Sequence, residues 1–209
     1  MRWLAVMALM SAPAFADGEK AGEFDYYVLS LSWSANWCAL QGEARGEAQC
    51  DTAHDFSFTL HGLWPQFEVG YPSYCRSTAR DPSRGQTDAM ADIQGSGGLA
   101  WYEWKKHGRC AGLNAAEYFA TARHAYRRVV IPPVLAGLNR DVKLPASVVE
   151  DAFIEVNPGL AANMITITCA QGMIEEARIC LTKDLAFRPC GIDAARDCRM
   201  QDAVMKAVR

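Results

Sequence analysis

The stretch DYYVLSLSW, residues 25–33, alternates: Tyr27, Leu29, Leu31 and Trp33 share one side of an extended chain. A period of two marks a strand with one buried face. FSFTLH, 56–61, repeats the pattern, with Phe56, Phe58 and Leu60 to one side and Ser57, Thr59 and His61 to the other. His61 therefore points away from the apolar face on a rigid element. Gly62 and Pro65 are expected to break the strand. MITITC (164–169) and EEARICLT (175–182) are also strand-like. Between the strands lie helical patterns. NAAEYFATARHAYRRVV (114–130) opens on Asn114 with Glu117 three residues on, a capping pattern, and stops at Pro132–Pro133. SVVEDAFIEV (147–156) has Ser147 and Glu150 as a capping box and ends at Asn157–Pro158–Gly159. Residues 76–98, rich in Gly, Ser, Asp and Arg, are expected to form a long loop with a short helix around 88–93. There is no internal repeat, linker or low-complexity tract. The fold class is α+β: a single domain with a central antiparallel β-sheet flanked by helices.

The chain has 209 residues, half of them apolar, which suits one ordinary domain. Its first twenty residues stand apart. Arg2 is a short basic start, Trp3 to Met10 an apolar run, and Ala14–Ala16 a small-x-small cleavage pattern. Residues 1–16 are therefore expected to be a signal peptide, with the domain at 17–209. The run is far shorter than the roughly 20 residues a membrane span needs. Export to the periplasm or the medium follows, with no membrane attachment after cleavage.

Eight cysteines lie in the mature part: Cys38, Cys50, Cys75, Cys110, Cys169, Cys180, Cys190 and Cys198. An even count in an exported chain points to four disulfides. No CxxC pair occurs and no histidine is spaced like a zinc ligand beside them, so no metal is expected. Spacing alone leaves about 105 pairings open. Net charge is −3, so the overall field attracts no nucleic acid; any such partner needs a local cationic site.

Two histidine clusters remain. HGLWP (61–65) follows a strand; WYEWKKHGRC (101–110) reads as a helix ended by Gly108 and tethered by Cys110. At about 100° per residue, Glu103, Lys106 and His107 fall within one arc, and Trp101 and Trp104 on the opposite side, expected to bury against the sheet. Taken alone, the charged triplet reads as a solvated helix face. Taken together, two imidazoles on rigid elements suit a proton donor and acceptor at one phosphorus centre. A lysine beside them suits the extra negative charge of a phosphorane. His54 and His124 lack such partners and read as structural or surface residues. Arg123, Arg127 and Arg128 read as a solvated helix face before they read as phosphate contacts.

HGLWP and EWKKHGRC resemble the two active-site segments of the ribonuclease T2 family. YYVLSLSW (26–33), YPSYC (71–75), AFIEVNPGL (152–160) and ARICL (177–181) resemble further family features in family order. The resemblance implies a secreted, cofactor-free and metal-independent endoribonuclease, acting as a monomer on single-stranded RNA and leaving DNA uncut. It implies that His107 takes the 2′-OH proton and His61 protonates the leaving 5′-oxygen. Glu103 and Lys106 would stabilise the phosphate, Trp64 would stack on a base, and Tyr71 would close the same pocket. It also implies the pairs Cys38–Cys50, Cys75–Cys110, Cys169–Cys198 and Cys180–Cys190. Two positions depart from the pattern. Tyr102 stands where many members have a histidine, leaving a phenol for the accessory phosphate contact. Gln66 stands where some have an acid that reads the base. The alternative reading is a catalytically inactive secreted binding protein of the same fold.

Overall fold

The computed structural model describes residues 19–51 and 53–208; the expected signal peptide lies outside the described residues. Strand β1 (Tyr26–Trp33) is followed by the short helices α1 (Ser34–Trp37) and α2 (Glu43–Arg45), then by β2 (Phe58–Gln66). Three helices come next: α3 (Arg84–Asp88), α4 (Ala91–Gln94) and α5 (Gly97–Lys106). They are followed by α6 (Ala115–Arg128), α7 (Pro133–Ala136), β3 (Val142–Leu144) and α8 (Ala146–Val156). The chain finishes with β4 (Ile165–Ala170), β5 (Met173–Leu181) and β6 (Ala203–Met205).

The six strands form one sheet, in the order β2-β1-β5-β6-β3, with β4 also on β5. Pairing is antiparallel except for a single parallel contact, Met173 with Val204. One face is the core. Leu29, Leu31 and Trp33 of β1 meet Phe58, Leu60 and Leu63 of β2 and Ala177, Ile179 and Leu181 of β5. Helices α6 and α8 cover this face through Tyr118, Phe119, Ala122, Val149 and Phe153. Tyr118 and Tyr126 also donate their hydroxyls to the β2 carbonyls of Leu63 and Phe58, both at 3.0 Å. The other face carries polar side chains and holds the site.

Several expectations are corrected. Gly62 and Pro65 do not break the strand; β2 runs through both, because Gly62 pairs opposite Ser30 and Pro65 opposite Tyr27. Phe56 lies before β2 and packs on the His54 ring, 5.3 Å away. Residues 76–98 are not one loop. Ser83 and Gln86 form a capping box that starts α3, and α4 follows after two residues. Asn114 and Glu117 do form the expected box on α6. Ser147 does not cap α8, which starts one residue earlier behind Pro145. Trp104 is fully buried, but Trp101 is 41% exposed. The inward arc of α5 is taken by Ala100, Glu103, Trp104 and His107, which turns Trp101 outward.

The four disulfides pair Cys38–Cys50, Cys75–Cys110, Cys169–Cys198 and Cys180–Cys190, the pairing the family resemblance implies.

Candidate active site

His61 is presented by a break in the β1/β2 register. Ser30 pairs with Gly62 and Leu31 with Leu60, which leaves His61 as an extra residue on β2. Such a bulge re-aims side chains and often lies next to a reaction centre. Its effect is visible in the core positions: Phe58 and Leu60 are two apart, but Leu60 and Leu63 are three apart. His61 and Trp64 consequently share the polar face, although strict alternation would separate residues three apart. Their rings lie 5.1 Å apart, edge to face.

A second bulge lies two strands away, where β5 pairs with β4. On β5, Ala177 pairs with Ile167 and Ile174 with Cys169, so Glu175 and Glu176 together oppose Thr168. Glu176 pairs opposite Ser32 of β1 and shares the polar face with Arg178, two residues on. Its Oε1 accepts the Nδ1–H of His61 in a very short hydrogen bond. Its Oε2 is gripped by the Arg178 guanidinium, at 2.7 Å from Nε and 2.6 Å from a terminal nitrogen. Arg178 also lies 5.3 Å from the centre of the Trp64 ring. Gln94 donates to the His61 carbonyl at 3.0 Å and fixes its backbone from α4. Sequence reading assigned no role to Glu176, Arg178 or Gln94. The signal was the spacing Ile174, Ala177, Ile179, Leu181, in which one step of three interrupts steps of two.

Helix α5 supplies the opposite wall. Glu103 is buried, with its Oε2 accepting the Trp64 indole N–H at 2.6 Å and its Oε1 3.6 Å from His61 Nε2. This approach requires Gly62, because a Cβ there would overlap both Glu103 Oε2 and Trp64 Nε1. His107 caps α5 and is nearly fully buried. Its ring lies 5.2 Å from Trp64, tilted by 31°, and 6.2 Å from Tyr71. Its Nδ1 has no hydrogen-bond partner. The Trp64 indole thus stands between the two imidazoles. Gly108 lets the chain turn tightly after His107; a Cβ would lie 2.7 Å from Trp104 and 2.8 Å from Tyr118.

Residues 71–75 close the site from outside. Tyr74 takes a left-handed conformation, φ 51°, and donates its N–H to the Lys106 carbonyl at 2.8 Å. Cys75–Cys110 ties this segment to the turn after α5. Lys106 Nζ lies 5.7 Å from the Tyr102 ring centre.

The electrostatics separate the two histidines. Burial alone would lower the His61 pKa, but a third of its side chain is still exposed. The hydrogen bond and charge of Glu176, with Glu103 behind it, outweigh that effect and raise it. His107 goes the other way: burial, together with the charges of Lys106 and His61, lowers it to about 3. Burial raises the Glu103 carboxyl. Burial pushes Glu176 the same way, but His61 and Arg178 overcome it and hold this carboxyl low. Groups driven apart in this manner suit opposite acid and base duties.

The structure thus brings His61, Trp64, Tyr71, Glu103, Lys106, His107 and Tyr102 around one centre. Tyr102, 45% exposed, lines a cavity of about 490 Å³ with His61, Ser32, Thr59, Leu99 and Glu176. Gln66 is not brought to the histidines by any contact; it is buried and donates to the Pro65 carbonyl at 3.1 Å. His54 and His124 are exposed, away from the centre. Arg123 is forked onto Asp92 at 2.6 and 2.7 Å.

A ribonuclease from Aeromonas hydrophila is 41% identical over 122 residues, which is 56% of this chain and 54% of that protein. The chain spans about half the length of the curated relatives it matches first. Among solved structures, an RNase-related protein from Calystegia sepium superposes with a TM-score of 0.67 at 21% identity, covering 89% of this chain and 98% of the other. RNase NT in complex with 5′-AMP gives 0.63 at 19% identity, covering 87% and 97%. These likenesses establish the shared fold. The ribonuclease T2 family model matches residues 24–190, with both histidine segments inside the match, and the chain belongs to that family.

Proposed function

We propose that this protein is an exported, metal-independent endoribonuclease that cleaves single-stranded RNA through a 2′,3′-cyclic phosphate to 3′-phosphate ends. One observation carries the reading: His61 and His107 flank Trp64, with ring centres 5.1 and 5.2 Å from it, and their proton affinities are shifted in opposite directions.

RNA brings its own nucleophile. Neutral His107 accepts the proton of the ribose 2′-OH, and the oxygen attacks the adjacent phosphorus. The bond from phosphorus to O5′ breaks, and protonated His61 delivers its Nε2 proton to the departing oxygen. Glu176 holds His61 Nδ1 as the donor, which leaves Nε2 to face the reaction. In the second step water replaces the 5′-hydroxyl and the two histidines exchange duties. Lys106 neutralises charge gathering on the phosphate, as a preorganised cation does. Glu103 anchors the Trp64 edge and adds a dipole partner at the same centre. Tyr71, 53% exposed, offers the open ring on which a base stacks; Trp64 closes the pocket from its inner side. Four disulfides among the described residues support an oxidising compartment, the periplasm or the medium.

The test is direct. Mature protein is incubated in EDTA with single-stranded RNA and with DNA of the same sequence. RNA should be cut to cyclic-phosphate ends while DNA stays intact. His61→Phe and His107→Phe should each reduce turnover by at least about a hundredfold, the lower range for a lost acid or base. RNA left whole at every pH from 4 to 8, with the disulfides intact, would make the protein a non-catalytic binder of this fold.

A further inference from the structure

Trp101 is a large aromatic side chain with 41% of its surface in solvent. It lies on α5, next to the arc that carries the site. Lys105 Nζ stands 5.7 Å from its ring centre, and Lys105 in turn lies 3.6 Å from Asp81. A second cavity, about 550 Å³, opens beside the indole and is lined by Arg84, Thr87, Asp88, Gly97, Gly98 and Trp101. Three chemistries meet there: an open π face, an exposed guanidinium and an exposed carboxylate.

This cavity adjoins the cleft at His61. The two share Gly98, where an added Cβ would meet only Ser96 Oγ, at 3.9 Å. Gly98 itself puts no side chain between them. The order of the cavities also carries a direction. The cleft is lined by His61 and Tyr102, and not by Trp64, Tyr71 or His107. In the proposed reaction His61 serves the departing oxygen, so the cleft receives the 3′ side of the cut. A strand continuing beyond it crosses Gly98 and reaches Trp101.

We propose that Trp101, Arg84 and Asp88 form an outer subsite for single-stranded RNA, one nucleotide beyond the leaving nucleotide on its 3′ side. The proposal rests on the ribonuclease reading above. The indole takes a base by stacking, the usual sequence-tolerant device for single strands. Arg84 pairs with the phosphate, a contact weakened by salt. The Asp88 carboxylate is an acceptor only, so it selects base edges that present an N–H. The subsite makes the protein prefer long RNA to short fragments.

Steady-state cleavage of three substrates tests this: a dinucleotide, the same dinucleotide extended by two nucleotides on the 3′ side, and one extended equally on the 5′ side. The 3′ extension should raise kcat/KM about tenfold, within the range for one stacked base, and the 5′ extension should not match it. Trp101→Ala should bring the ratio of 3′-extended to dinucleotide kcat/KM down to about one. Arg84→Gln should flatten the salt dependence for the extended substrate by about 0.7 in the logarithmic slope, the value for one lost single-strand phosphate contact. A dinucleotide cut as fast as its 3′-extended form, or a length preference that survives Trp101→Ala, overturns the subsite alone. No cleavage of any of the three overturns the ribonuclease reading, and the subsite with it.

Discussion

His61 and Glu176 lie 115 positions apart, on β2 and β5, yet the imidazole meets the carboxylate across the intervening strand β1. His61 comes to that face as the extra residue of a bulge, and Glu176 from the regular register opposite Ser32. The pair ties down the Nδ1 side of the His61 ring and raises its pKa.

The first prediction follows from this pair. Glu176→Gln preserves shape but removes the charge that raises the His61 pKa. The alkaline limb of kcat/KM should move down by about one to three pH units, the usual effect of a nearby opposite charge. A structural role alone would change stability and leave the limb in place. The pH–rate profiles of the two proteins, taken alongside their melting curves, distinguish these outcomes.

The pH profile of the unaltered protein is a second prediction. The proposed mechanism needs His61 protonated and His107 neutral. The His61 pKa is raised, so its charged form and its bond to Glu176 persist below the ordinary value near 6.5 and are lost as pH rises through the raised value. The His107 pKa is lowered to about 3, so its neutral form persists well below 6.5. The rate should therefore stay flat through pH 6.5, with its alkaline limb above that value. Stability linked to His107 has the opposite slope: between about 3 and 6.5 the unfolded chain binds a proton that the folded chain refuses, so folding strengthens as pH rises. An acid limb centred at 6.5 in kcat/KM would show that His107 titrates normally.

Gly62→Ala is a third. The methyl group would overlap the Glu103 carboxylate and the Trp64 edge. Because one neighbour is a buried carboxylate, relief must come from displacing the Trp64–Glu103 bond. A stability loss of about 1–3 kcal/mol is expected from overpacking, with a larger proportional loss of turnover. Urea unfolding and single-turnover cleavage measure the two.

The fourth concerns Cys75–Cys110, which closes a separation of 35 residues. Replacing both by serine should cost about 3–4 kcal/mol on loop-entropy grounds, or roughly 10 °C in Tm for a chain of this size. KM should rise more than kcat falls, because Tyr71 and Tyr74 lose their tether while His61 keeps its own. Thermal melts and steady-state kinetics on one RNA substrate check both parts.

Much of this molecule was legible from its residues. Alternation in 25–33 placed β1, the Asn114–Glu117 box placed α6, and the two histidine motifs named groups that do converge. What escaped was irregular. Gly62 was read as a strand end because glycine is a common breaker; here it is paired, and it is small to admit Glu103. Taken alone Glu103 reads as part of a solvated face, and only the two histidine motifs together make it a site residue; the helix turns it inward with Trp104. Helical phase gives the relative positions of side chains around α5, but the neighbours decide which arc is covered. Glu176 and Arg178 left only the broken spacing from Ile174 to Leu181 as a trace, since the role of Glu176 depends on a partner more than a hundred residues away.

The two bulges also bear on how such a site can arise or vanish. Point substitutions at 61 or 176 exchange one group for another at a fixed place. Deleting a single residue between Leu60 and Leu63, or between Ile174 and Ala177, would restore an unbroken ladder and turn the flanking side chains over. A tidier sheet would result, with the imidazole and the carboxylate aimed past one another. The catalytic geometry is written in the count of residues along two strands as much as in their identity, so in descendants of this chain a one-codon gap at either place would silence it while the hydrophobic interior remained intact.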